Sequence, residues 1–130
     1  MGLSARIAQL AGRIGLELKS KVDASHPGVA QAWVCFGYVG SKVLVRAAYG
    51  VSGVTRLGSG RYRVNFSPAL PDTNYCWLAL ARSNVDSGTQ RLAIVRASTD
   101  LKTSQYVDIA CATTAAGFAD SAEINLVVYR

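Results

Sequence analysis

Histidine is nearly missing from this 130-residue chain: His26 is the only one. A serine or cysteine nucleophile needs a base beside it, and a lone imidazole in a polar stretch before Pro27 reads as a solvent-exposed turn residue instead. Glutamate is almost as scarce, with only Glu17 and Glu123. The aspartates, Asp23, Asp72, Asp86, Asp100, Asp108 and Asp120, fall almost all at expected turns, where such side chains cap backbone amides. No carboxylate pair is singled out for glycoside hydrolysis. The three cysteines, Cys35, Cys76 and Cys111, are far apart. There is no Cys-x-x-Cys and no histidine pair, so zinc-type ligand spacing is lacking. Each cysteine lies in an apolar run and reads as a reduced, small hydrophobe, as in a reducing cytoplasm. No phosphate-binding glycine loop joins a strand to a helix. No apolar run approaches the roughly 20 residues of a membrane helix. Residues 1–22, interrupted by Arg6, Arg13, Lys19 and Lys21, lack the compact apolar segment of a secretory signal. The expectation is a protein that is not an enzyme, binds no metal or cofactor and inserts into no membrane.

What the chain does have is apolar material. Half of its residues are hydrophobic and 17% are charged, enough for a packed core in one domain. A hydrophobic surplus in a small chain also serves subunit interfaces. The formal charge is +6, from 14 Lys+Arg against 8 Asp+Glu. The basic residues stand singly along the chain, as solvent-face residues do. Arg61-Tyr62-Arg63 interleaves basic and aromatic groups as single-strand binders do, but strand alternation explains it with Tyr62 in the core and both arginines in water. No specific nucleic-acid partner is expected.

Two parts are visible. Residues 3–22 read as an amphipathic helix with a heptad-like stripe of Leu3, Ile7, Leu10, Ile14 and Leu18, continued by Val22. Ser4 would cap it if Leu3 lies outside. Gly12 and Gly15 each weaken it by roughly 1 kcal/mol relative to alanine. Such a helix is marginal alone in water and needs a partner for its stripe. Asp23-Ala24-Ser25-His26-Pro27-Gly28 reads as a polar hinge with a helix-stopping proline. The helix is therefore expected to join an intersubunit bundle. The boundary falls at 26: an oligomerisation and attachment helix over 1–26, and a β-domain over 27–130.

The second part reads as strands at 31–37, 43–49, 51–56, 61–66, 75–83, 90–98, 106–112 and 123–129. Turn signals separate them at a regular pace, at 40–42, 58–60, 68–74, 84–88, 100–104 and 116–120, the pattern of an antiparallel β-sandwich or barrel. After Gly58-Ser59-Gly60 the alternation is strict, with Tyr62, Val64 and Phe66 inward. The run Tyr75-Cys76-Trp77-Leu78-Ala79-Leu80-Ala81 is apolar on both parities, so its second face needs cover, which a neighbouring subunit would supply. Trp33 and Trp77 read as core or interface residues.

Three motifs carry a resemblance. The start, Leu3-Ser4-Ala5-Arg6-Ile7-Ala8-Gln9-Leu10-Ala11, is similar to an "LSARIxxLA" opening. The centre runs from Tyr49 through Val51-Ser52-Gly53-Val54-Thr55, the glycine turn and Tyr62-Arg63-Val64-Asn65-Phe66 to Ala69-Leu70-Pro71-Asp72-Thr73-Asn74-Tyr75. The end, Gly117-Phe118-Ala119-Asp120-Ser121-Ala122-Glu123-Ile124-Asn125-Leu126-Val127-Val128, is similar to a closing "GxxxDSxxVNVVV". In this order they resemble the tail-fibre and appendage proteins of tailed bacteriophages. The resemblance implies a short tail fibre in the virion, a homotrimer with an N-terminal helical bundle attached to other virion proteins of the tail, baseplate or capsid. It implies a jelly-roll-like β-sandwich facing outward and host attachment through a surface glycan or protein. Residues expected to face the receptor are Asn84 and Asp86 in one loop and Asp100 and Lys102 in another. The chain has no extended shaft, so a capsid decoration protein is the alternative. A carbohydrate-binding module is a third, for which no exposed aromatic cluster is visible.

Overall fold

The computed structural model describes residues 2–21, 23, 25–82, 91–94, 100–115 and 117–130. It is mainly β, with two antiparallel sheets and one N-terminal helix. The helix α1 spans Leu3–Lys21, within the 3–22 expected; Val22 lies outside the described residues. It begins one residue earlier than a Ser4 cap allows, and Arg6 N–H donates to the Gly2 carbonyl in its first turn. It also ends six residues before Pro27, so the proline does not stop it. The segment that follows is a structured turn: Asp23 accepts from the Ser25 amide, His26 Nδ1 accepts from the Gly28 amide, and Val29 N–H donates to the His26 carbonyl. His26 is thus a turn residue.

The strands are β1 (Ala30–Val39), β2 (Lys42–Tyr49), β3 (Val51–Gly58), β4 (Arg61–Phe66), β5 (Cys76–Arg82), β6 (Arg91–Ile94), β7 (Tyr106–Thr113), β8 (Gly117–Phe118) and β9 (Glu123–Tyr129). The first sheet has the order β2-β1-β9-β5. The second runs β3-β4-β7-β6, with β8 pairing with β7. Seven expected strands lie where the pattern put them. Of the eighth, at 90–98, Arg91–Ile94 is strand; the rest falls outside the described residues. The short β8 was missed. It sits inside the stretch 116–120 that turn chemistry marked, where two residues pair with Ala112 and Thr113 just past the end of β4.

Alternation explains the core. Tyr62, Val64 and Phe66 of β4 and Val107, Ile109 and Cys111 of β7 point to one side. They meet Ala32, Val34 and Phe36 of β1 and Ile124, Leu126 and Val128 of β9 from the other sheet. The Phe36 and Tyr62 rings join the two sheets edge to face, with centroids 5.1 Å apart. Each such side chain contributes roughly 1.5–3 kcal/mol on leaving water. Leu70 and Tyr75, from the segment between β4 and β5, close one end of this cluster. β5 contributes only one face: Trp77, Ala79 and Ala81 pack on the core while Leu78 and Leu80 point away.

Two glycines set the corners. At Gly50 the chain leaves the first sheet and enters the second with φ +64°, and a Cβ there would lie 2.5 Å from the Gln31 carbonyl oxygen. At Gly60, between β3 and β4, φ is +65° and a Cβ would lie 2.4 Å from the Cys111 oxygen. That approach lets Cys111 N–H donate to the Gly60 carbonyl. Gly53 has neither constraint. Gly60→Ala should therefore cost about 3 kcal/mol from strain and clash, while Gly53→Ala should change stability by less than about 1 kcal/mol. Urea unfolding of the two variants checks this; equal losses would contradict the assigned turn.

Candidate functional site

Two surfaces and one ionic network remain once the core is assembled. The first surface is α1. Its heptad spacing puts Leu3, Ile7, Leu10, Ile14 and Leu18 on one stripe, and Leu16 on the opposite side. All five stripe residues are 50–74% exposed, and no described side chain of the helix is buried. The inner faces of both sheets are filled by their own side chains, so the core between them holds no place for the stripe.

The second surface is the outer face of the first sheet. Direct pairing sets Trp33 and Leu78 on either side of Val127, and Cys35 and Leu80 on either side of Asn125. Leu80 is 74% exposed and Trp33 39%. Of the two tryptophans, then, Trp77 packs on the core and Trp33 faces out. The cysteines divide similarly. Cys111 is buried, Cys35 is half-buried and Cys76 is exposed, and no two are bonded. Burial pushes the Cys111 thiol pKa up.

The outer side of the second sheet carries an ionic cluster on β4 and β7, beside exposed Leu92 and Ile94 of β6. Arg63 grips Asp108, its direct cross-strand partner, through two hydrogen bonds of 2.7 and 3.0 Å, and stacks 3.9 Å over the Tyr106 ring. Arg61 donates to Asp100 at 3.1 Å. Both arginine side chains are 31% exposed while Asp100 and Asp108 are 1% and 3%. The arginines expected to stand free in water are therefore clamped on buried carboxylates. This was not legible beforehand because the β4–β7 register is not written in the local pattern.

Asp100 is thereby corrected as a receptor-facing residue: its carboxylate is sealed under Arg61. Lys102 is engaged too. Its Nζ donates to the Tyr75 carbonyl at 2.8 Å and lies 4.4 Å from the Tyr75 ring centre. Burial raises the Tyr75 hydroxyl to about 12. Asn84 and Asp86 lie outside the described residues.

Asp120 is the busiest acceptor. Arg56 donates to it twice (3.1 and 2.7 Å), Gly60 N–H donates at 2.9 Å, and the Tyr62 hydroxyl donates as well. It ties the segment before β9 to the β3–β4 hairpin. Burial pushes its pKa up, but the Arg56 guanidinium and the Tyr62 hydroxyl outweigh this and hold it below the ordinary value. Asp72 pairs with Arg130 (2.9 and 2.7 Å) and also caps the Asn74 amide; the Arg130 contact first, then the amide, hold its pKa near 2.

Among the described residues no group of three or more His, Cys, Asp or Glu is placed to hold a metal ion, and no helix is long and apolar enough to cross a membrane. Comparison with family models, with curated proteins and with solved structures found no match.

The carboxylates give a pH dependence of definite sign. Asp72 and Asp120 have folded-state pKa values below their unfolded ones, so their contribution is complete above about pH 4. It is lost as pH falls through the folded values, toward about 2 for Asp72. Stability should thus decline between about pH 4 and 2. At neutral pH Asp120→Asn should cost about 2 kcal/mol, since it strips a charged acceptor from three donors. Thermal unfolding followed by circular dichroism tests both; an Asp120→Asn protein with wild-type stability and acid response would remove Asp120 from the role of clip.

Proposed function

We propose that this chain is a structural virion protein of the bacteriophage tail-fibre type, assembled as a homotrimer. Its α1 helices form a bundle that attaches the protein to other virion components, and its β-domain, a jelly-roll-like sandwich, faces outward for host attachment. The order of the three sequence motifs supports the phage reading, and the trimer number rests on that resemblance. The observation that carries the assembly is α1: a 19-residue amphipathic helix whose stripe finds no partner in its own chain. Such a helix is marginal in water unless its apolar face is packed.

Surface area supports the same reading. The chain exposes 8108 Å², whereas a compact monomer of its 13.8 kDa mass exposes about 6,600 Å². The excess, about 1,500 Å², exceeds the roughly 800 Å² that one partner buries in a standard interface. Recognition by such a protein rests on many weak contacts multiplied over copies.

The double variant Ile7→Asp, Leu10→Asp should dissociate the assembly at micromolar concentration, read by sedimentation velocity, and should abolish incorporation into particles. A wild-type protein that sediments as a monomer would overturn the proposal. Immunogold labelling of particles places the protein: label on the tail supports the fibre reading, and label on the head converts it to capsid decoration.

A further inference from the structure

The outer face of the first sheet carries two rows without a charge. One is Tyr49, Trp33, Val127 and Leu78; the next is Ala47, Cys35, Asn125 and Leu80. The small Cys35 and Asn125 leave a hollow of about 460 Å³ between the taller side chains. An antiparallel sheet with one wet face alternates apolar in and polar out. These two outer rows are apolar instead, while the next row of the same face carries the Arg82–Glu123 pair; the two rows have the aromatic-rich, charge-poor make-up of an interface core.

Building on the proposed homo-oligomer, we infer that this face is packed against the corresponding faces of neighbouring copies around the bundle axis. Three observations select another copy as the occupant. First, Trp33 and Cys35 lie on β1, which starts at Ala30, close behind the end of α1 at Lys21. The intervening eight residues reach at most about 29 Å, so a bundle of α1 helices would hold the β1 strands of different copies at high effective concentration. Second, every copy carries +6 and copies repel; rows free of charge let them touch without setting like charges opposite one another. Third, Trp33, Tyr49, Leu78 and Leu80 on this face are 39–74% exposed on the single chain, apolar area whose removal from water favours a contact beyond the helix.

The test uses the full-length protein and its own thiols. Cys35 sits in the hollow and Cys76 two rows away, beside Tyr129; buried Cys111 is the internal reference. Labelling by N-ethylmaleimide, read by mass spectrometry, should be at least tenfold slower at Cys35 in the assembled wild type than in a Leu78→Lys, Leu80→Lys variant. Both leucines are exposed on the single chain, and unchanged thermal unfolding verifies that the variant folds. A short bis-maleimide should also join wild-type copies through the exposed Cys76 thiols at the margin of the face, a readout that needs no variant. Cys35 labelling at equal rates in both proteins would overturn the inference. Protection without cross-linking would also overturn it, assigning the face to a helix instead.

The Ile7→Asp, Leu10→Asp variant separates this inference from the bundle. Assembled wild type with a reactive Cys35 leaves the bundle standing and removes the face contact. A helix variant that stays associated with Cys35 protected keeps the face contact and removes the bundle.

Discussion

The arrangement of this molecule depends on the fact that its core is already full. Both sheets spend their inner faces on each other, from Ala32, Val34 and Phe36 on one side to Tyr62, Val64 and Phe66 on the other. The β-domain therefore completes itself without α1. The helix follows from the opposite condition. Its stripe has regular spacing and no enclosed site to enter, and two glycines lower its intrinsic stability. A segment of that kind gains its order from burial it cannot find at home. The β-domain closes its own core, and the helix stripe stays exposed on the single chain, the two conditions on which the proposed association rests.

The two outer faces of the β-domain then differ in kind. The second sheet turns arginines outward and neutralises them with Asp100 and Asp108. The cations stay partly wet while the carboxylates are enclosed, so each pair is anchored by fixed hydrogen-bond geometry as well as by Coulomb attraction. The first sheet turns Trp33, Leu78 and Leu80 outward. The two faces thus differ around β4 and β7 on one side and around β1, β9 and β5 on the other, although exposed Leu92 and Ile94 of β6 keep the second face from being wholly polar. Asp120 and Asp72 contribute differently. They fasten connecting segments, to the β3–β4 hairpin and to the chain end at Arg130 respectively, so the loops are held by the same type of bond that covers the second sheet.

Much of this was legible in the sequence because it is local. Strand positions follow from alternation and turn residues, and Tyr62, Val64 and Phe66 could be placed inward from their parity alone. The helix stripe was equally plain. What escaped is what depends on register between distant segments. Asp108 lies opposite Arg63 across 45 residues, and Asp100 meets Arg61 across 39; no local pattern states either pairing. Asp100 looked like a loop tip for that reason. The tiny β8 escaped because two residues carry no period. The apolar run at 75–81 showed that a second face existed but not which neighbours share it. Only the order β2-β1-β9-β5 brings Leu78 and Leu80 beside Val127, Asn125, Trp33 and Cys35.

The ion pairs also decide where the positive charge of the chain resides. Arg56, Arg61, Arg63, Arg82 and Arg130 each face an acidic partner. The helix, by contrast, holds Arg6, Arg13, Lys19 and Lys21 against Glu17 alone, a net +3 and half of the formal total. In the helical bundle we propose, that charge would be concentrated along a narrow column. Counter-ions relieve the repulsion over a Debye length of about 10 Å at 0.1 M, so cohesion of the column strengthens with ionic strength. A virion component that received the proposed bundle would gain most by being lined with carboxylates.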